Sequence, residues 1–305
     1  MTQFLYRAYE LTISSPIVLP LPEVSDRGAD VRIVLGANLD AGEANELAGH
    51  RWVGRSGWFK LMVQGVAQYV IEEGCIITIN PTKTASHSDL VAFLMSSALG
   101  ALLQQRGALP FHASTVATNR GAVLMLGKSG AGKSTTMTAL TRRGFAMVSD
   151  DITPVSLRNG QLVALPAYPS TRLWADALDG FGYSAELLLS VRENISKYYL
   201  NIGTFHDQPE QVAGGVILQV HNEPQIEVTH IPASEAFGVF SRFTFRKRFL
   251  KCQNLLPFQF SVTTALAKGA PVIRVNRPMA PFCADEVAEK ITNALAIAPY
   301  QPVIA

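Results

Sequence analysis

The chain has 305 residues, of which 48% are apolar and 16% charged, with 26 Lys and Arg set against 24 Asp and Glu for a formal net charge of +2. This length and composition provide core for one large domain or two of ordinary size and exclude an intrinsically disordered chain. The near-balance of charge excludes a global nucleic-acid-binding surface and leaves room only for local basic patches.

The opening MTQFLYRAYE lacks a basic region followed by an apolar core, so no secretory signal is expected. Short β-like runs follow at Asp30 to Leu35, Trp58 to Val63, Gln68 to Ile71 and Cys75 to Ile79, separated by Gly-containing breaks. They predict a small β-rich N-terminal region over residues 1–86, with residues 87–305 forming a second, larger domain. Beyond Pro81 and the polar TKTASHSD, Leu90, Val91, Leu94, Met95, Ala98, Leu99, Leu102 and Leu103 recur on one helical face. Ser88 is a candidate N-cap, and the helix ends near Gly107. Its apolar stretch, Val91 to Leu103, contains two serines and is shorter than the roughly 20 residues of a membrane-spanning helix, so no membrane partner is expected.

Phe111 to Ala117 and Ala122 to Leu126 read as two strands joined by a polar turn at Thr118 to Gly121. The octapeptide GKSGAGKS follows, and residues 133–143 suit a helix ending at Gly144. Phe145 to Val148 then make a short apolar strand that delivers Ser149, Asp150 and Asp151 at its end. Further β-like pieces lie at Ile152 to Leu157, Gln161 to Ala164, Gly215 to Val220, Ile226 to Ile231 and Pro271 to Val275. Helix-compatible pieces lie at Leu173 to Leu178, Ser234 to Phe240, Phe258 to Ala267 and Asp285 to Ala296. Cys75, Cys252 and Cys283 are too few and too widely separated for a disulfide framework or a metal site, and a reducing cytoplasm fits them best.

The spacing of Gly127, Gly132, Lys133 and Ser134 satisfies the Walker A pattern, in which glycines let consecutive backbone N–H groups turn inward on a phosphate. Strand, loop and helix stand in the required order, so the chain is expected to bind a nucleoside triphosphate. Lys133 would reach the terminal phosphates as a point charge, the Ser134 hydroxyl would ligate magnesium, and the helix N-terminus adds to the field. Asp150 and Asp151, about twenty residues on, offer one carboxylate for the metal and a second as general base toward an attacking hydroxyl. On its own such a pair is also an ordinary turn. His112, in LPFHAS on the preceding strand, either orients the catalytic carboxylate or is a satisfied core histidine. His206, His221 and His230 show no pairing pattern.

The segment Arg242 to Lys251, RFTFRKRFLK, has two readings. It is a helical stripe with a solvated basic face, or a surface that neutralises phosphates or receives an acidic peptide, with Arg242 or Arg246 clamping the transferred group. Lys197 is likewise a solvated lysine or a second phosphate contact.

The combination of LPFHAS, an intervening strand, GKSGAGKST and RRGFAMVSDD resembles the catalytic core of the HPr serine kinase/phosphorylase family, over roughly residues 105–155. The resemblance implies an α/β fold with a P-loop kinase core of the type shared with phosphoenolpyruvate carboxykinases, beside the small β-rich N-terminal region. It implies ATP and Mg2+ as cofactors, held by Gly127, Lys128, Ser129, Gly130, Ala131, Gly132, Lys133, Ser134 and Thr135. Arg143 with Gly144 corresponds to the family's helix end. Asp150 is then the base, assisted by His112, with Lys133 on the phosphates and Ser134 with Asp151 at the magnesium.

The family's Glu-Arg-Gly-Leu-Gly element after the acidic pair is absent from this chain, leaving Glu186 and Glu193 as candidates for its acid. The segments VQGVAQYVIEEG and LLQQRGALPFHAS are instead similar to HPr-kinase-like proteins beside peptide-tailoring systems, some of which phosphorylate a serine of a lasso-peptide precursor. The implied function is ATP-dependent serine phosphorylation of a peptide or small protein, with a homo-oligomer as a possible assembly and no nucleic-acid partner. The alternatives are a nucleotide-gated peptide-binding module without transfer, an HPr serine kinase proper, and an ATPase or small-molecule kinase.

Overall fold

The structure, a computed structural model, describes residues 3–25, 28–36, 47–49, 51–192 and 194–301. Among the described residues the fold is mixed α/β with three sheets, in two compact units, Met1–Pro110 with Phe245–Gln259 and Phe111–Thr244 with Phe260–Ala305. No helix among the described residues is long and apolar enough to cross a membrane.

The first unit contains β1 (Phe4–Ala8), β2 (Leu11–Ser15), β3 (Val31–Leu35), β4 (Leu47–Gly49), β5 (Trp52–Arg55), β6 (Trp58–Val63), β7 (Ala67–Glu72) and β8 (Ile76–Pro81). They form one sheet in the order β1-β2-β3-β8-β7-β6-β5-β4. The expected runs at residues 30–35, 58–63, 68–71 and 75–79 are strands of this sheet, within a residue or two at their ends. Period-two alternation buries Tyr69 and Ile71 on β7 and Ile77 and Ile79 on β8.

The long helical run is interrupted: α1 (His87–Phe93), a π turn at Leu94–Ala98, and α2 (Leu99–Gln105). Its N-cap is Ser86 and not the expected Ser88. Ser86 has the extended backbone a cap requires, and its hydroxyl accepts from the Asp89 N–H at 3.1 Å. The run lies on the sheet. Tyr69 Oη donates to the Leu90 carbonyl at 2.9 Å, and Gln105 both donates to the Ile71 carbonyl and accepts from the Gly74 N–H. These bonds tie residues 87–105 to the strands, and both lie in the first compact unit.

After β9 (Leu109–Phe111) come β10 (Ala113–Thr118), β11 (Gly121–Gly127), α3 (Lys133–Arg142) and β12 (Ala146–Ser149). Next are β13 (Thr153–Arg158), β14 (Gln161–Ala164), β15 (Ser170–Trp174), α4 (Ala175–Phe181), β16 (Ser190–Arg192) and β17 (Ile195–Asn201). The chain then forms β18 (Glu210–His221), β19 (Glu227–Ile231), α5 (Ala233–Phe243), α6 (Lys247–Cys252), α7 (Leu256–Gly269), β20 (Val272–Pro278) and α8 (Ala284–Leu295). The central sheet of the second unit runs β12-β10-β11-β18-β20-β19, with β14 and β13 joined to the first residues of β18. A small sheet, β15-β17-β16, stands apart from it. β11 is buried along its whole length, as a strand covered on both faces must be. Met137 and Leu140 of α3, Val287 and Ile291 of α8, and Val216 and Ile273 of the sheet share one core.

Two expectations fail here. Leu173 and Trp174 belong to β15 and not to a helix, because residues 170–174 pair with 197–201, and α4 begins only at Ala175. The segment Arg242 to Lys251 is not one helical stripe. α5 ends at Phe243, Arg246 takes a left-handed φ of 48°, and α6 starts afresh at Lys247. Phe245, Phe249 and Leu250 are core of the first unit, where the Phe249 ring lies 4.3 Å from that of Phe59.

Candidate active site

β10 is antiparallel to both β11 and β12, so those two strands are parallel to each other and end at the same edge of the sheet, where β10 begins. Ala113 is in register with Leu126, and Thr115 with Ser149. This topology brings the phosphate loop, Asp150, Asp151, His112 and Ser114 together. His112 is not inside a strand as expected. It occupies the break between β9 and β10, where its N–H donates to the Phe243 carbonyl at 2.8 Å.

The loop leaves β11 at Gly127, where a Cβ would stand 2.7 Å from the Leu218 carbonyl oxygen, so only glycine fits. It enters α3 through Gly132, whose φ of 99° is strained for any other residue. α3 has neither a side-chain cap nor an acid in its first turn, which leaves its first N–H groups for an external anion. Arg277 of β20 holds the loop from outside, donating through Nε to the Ala131 carbonyl at 3.0 Å and through Nη2 to that of Gly130 at 3.4 Å. Lys133 is 7% exposed, and its Nζ donates to the carbonyls of Gly127 and Lys128 and to His112 Nε2 at 3.2 Å. Burial pushes its pKa down, against the opposing pull of Asp150 and Asp151.

The two aspartates live in different surroundings. Asp150 is 5% exposed and its oxygens are saturated. Oδ1 accepts from Ser134 Oγ at 2.9 Å and Ser114 Oγ at 2.5 Å, while Oδ2 accepts from Thr171 Oγ1 at 2.7 Å and the Arg172 N–H at 3.2 Å. Asp151, 21% exposed with a left-handed φ of 66°, turns into open space and pairs with the Arg172 guanidinium. Burial alone would raise its carboxyl, but Arg172, then His112, Lys197 and Lys133, outweigh that and hold it at about 2. His112 Nδ1 lies 3.0 Å from the Asp151 carbonyl oxygen and 3.6 Å from its Oδ1. A carbonyl only accepts, so Nδ1 carries the hydrogen and Nε2 is the lone-pair side facing Lys133. Burial, with Lys133, depresses the His112 pKa below its usual value, so the ring is neutral at pH 7.

Three residues that sequence reasoning missed, or left undecided, arrive on the small sheet. β15 supplies Thr171 and Arg172, and β17 supplies Lys197, which is in register with Trp174 and sits over its ring at 5.7 Å. Burial and the neighbouring Arg172 lower the Lys197 pKa, opposed by the two aspartates. A cleft of about 560 Å³ is lined by His112, Ser129, Gly130, Gly132, Lys133, Ser134, Thr135 and Asp151, together with Arg172, Lys197 and Arg277. Asp150 stands behind this surface. Lys128, Ala131 and Arg242 face a different cavity, and Arg246 belongs to the first unit. Glu186 is exposed in a short 3-10 turn and does not line the cleft, whereas Glu193 lies outside the described residues.

The Ser134 hydroxyl, oriented at the helix N-terminus by its bond to Asp150, fits a magnesium ion, which takes few protein ligands and completes its shell with phosphate and water. Among the described residues, no group of three or more His, Cys, Asp and Glu forms an all-protein metal site.

No protein-family model matches the chain, and no curated protein matches it. Among solved structures, the chain is similar to the HPr(Ser) kinase/phosphatase from Coxiella burnetii, at 15% identity over 61% of this chain and 89% of that chain, with a TM-score of 0.31.

Proposed function

We propose that the protein is an ATP- and magnesium-dependent kinase, built on a P-loop core of the HPr kinase type, that phosphorylates a serine hydroxyl of a peptide or small protein. One observation carries the reading: the Ser134–Asp150 pair stands at the phosphate loop while Asp151 opens into the same cleft beside His112 and Lys133. The roles of the two aspartates exchange relative to the sequence expectation. Asp150, saturated and bonded to Ser134, would orient that hydroxyl, which would take the magnesium. Asp151 is the carboxylate an acceptor can reach.

Bound magnesium would neutralise charge on the phosphates. The loop N–H groups and Lys133 bind and orient the β- and γ-phosphates, and Arg172 with Lys197 adds cationic charge across the cleft. The acceptor hydroxyl donates to Asp151, whose backbone is fixed through His112 Nδ1. As the new O–P bond forms, the bond from the γ-phosphorus to the β,γ-bridging oxygen breaks, ADP leaves with that oxygen, and the hydroxyl proton passes to Asp151. A carboxylate ionised throughout the neutral range suits a loose transition state, in which orienting the hydroxyl matters more than early proton removal. A lasso-peptide precursor is one acceptor of this class, supported by the sequence resemblance alone.

The test is phosphate transfer from magnesium-ATP to serine peptides, followed by mass. Asp151→Asn should lower turnover by about 100-fold or more while nucleotide affinity stays within about threefold. Asp150→Asn should weaken magnesium-dependent nucleotide binding itself. Full turnover by Asp151→Asn would remove that residue from the mechanism.

A further inference from the structure

A second cavity, of about 620 Å³, lies against the same phosphate loop. It is formed by loop residues Lys128 to Ala131, the end of β18 at Ile217 to Val220, and α5 through Gly238, Val239 and Arg242. Ser129, Gly130 and Met279 line both this cavity and the cleft, so the two spaces adjoin at the loop. Of its three cations, Arg274 is paired with Glu235. Lys128 and Arg242 are exposed and have no ion-pair partner among the described residues. The apolar side chains of Ile217, Val220 and Val239 stand beside these charges. Gly238 leaves the helix surface open there, since a Cβ added to it meets nothing within 4 Å.

We propose that this cavity seats the acceptor as a polypeptide segment in which acidic residues flank the hydroxyl-bearing one. The proposal rests on the phosphoryl-transfer reading. Its volume lies within the range of about 300–1,000 Å³ that ligand pockets occupy, large enough for several side chains. Unpaired cations beside apolar wall select a segment that carries both carboxylates and carbon. The two spaces adjoin at the loop, so a segment docked in the cavity can present its hydroxyl to the cleft. Lys128 and Arg242 are surplus to the nucleotide, because Lys133, Arg172 and Lys197 already line the cleft that would hold its phosphates.

The experiment uses the full chain and labelled synthetic peptides with one serine flanked by aspartates, by alanines or by lysines. Binding is read by fluorescence anisotropy and transfer by mass. The aspartate peptide should bind best, with affinity that falls as salt rises. Arg242→Ala should weaken it about tenfold, and Arg242→Glu should shift preference to the lysine peptide. Gly238→Leu projects a side chain into the cavity from a helix that leucine favours over glycine, so it should block the peptide and leave magnesium-ATP affinity unchanged.

Equal binding of aspartate and lysine peptides, or aspartate-peptide affinity untouched by Gly238→Leu, overturns the proposal. So does displacement of the peptide by millimolar inorganic phosphate with no dependence on the peptide's apolar residues, which marks a small-anion site. Acidic peptides that bind as expected but gain no phosphate leave the docking site standing and sink the transferase reading. Transfer that is indifferent to flanking charge and to Gly238→Leu does the reverse.

Discussion

On the cleft side of the phosphate loop, Lys133 is 7% exposed and its ammonium is bonded to His112 and two carbonyls, while Arg172 is paired with Asp151. On the side of the second cavity, Lys128 and Arg242 are exposed and carry no partner among the described residues. The difference follows from solvation. A buried cation must find its compensation inside the protein, and the residues that supply it become fixed in geometry. An exposed cation is compensated by water and remains available for an incoming group. In the proposed reading the cleft is preorganised for a charge of known position, and the second cavity for a charge of variable position.

The comparison breaks most sharply at Lys133. Lys133→Met should lower transfer by about 1,000-fold or more and weaken ATP binding, measured by turnover and calorimetry. A mild loss would mean that the cleft is not organised around this ammonium. A smaller effect is expected at Arg172. Arg172→Met leaves Asp151 without its principal partner and should cost about 3 kcal/mol in urea unfolding at pH 7.

That loss should depend on pH. Asp151 titrates at about 2 in the fold against an ordinary 3.8, so the folded state binds fewer protons and the associated stability is present above pH 4. It amounts to roughly 2 kcal/mol and disappears as pH falls from about 4 toward 2, so the gap between wild type and Arg172→Met should narrow over that interval. The smallest effect belongs to the exposed side. Arg242→Ala should change unfolding free energy by no more than about 0.5 kcal/mol, and a larger loss would show that its guanidinium is structural and not held for a partner.

Much of the site was legible because its signals are local. Gly127, Gly132, Lys133 and Ser134 announce a phosphate loop by spacing, and the runs on either side have the length and composition of a strand and a helix. The Asp pair is legible for the same reason, since it closes a short apolar strand. The different surroundings of Asp150 and Asp151 were not. They are set by Ser114 and Thr171, which reach Asp150 from two other strands at sequence separations of 36 and 21. Arg172 escaped notice because Leu173 and Trp174 carry no alternation that tells an edge strand from a helix start. Lys197 could not be decided until its strand was paired. The basic segment misled by its apolar spacing, for the break at Thr244 to Arg246 contains no Gly or Pro to announce it. There Thr244 turns to a non-helical backbone, and Phe243 and Phe245 bond to His112 and Pro110 instead.

The hairpin of β10 and β11 closes through a turn of only Asn119 and Arg120, with Thr118 in register with Gly121. His112 precedes its first strand and the phosphate loop follows its second. The glycine-rich loop and its histidine are thus the two prongs of one fork, joined at the stem by a loop whose closure costs little entropy. The Arg277 clamp on Ala131, by contrast, spans a sequence separation of 146. The fork is thus the part of the site whose loop closure costs least, and contacts such as the Arg277 clamp close far longer loops.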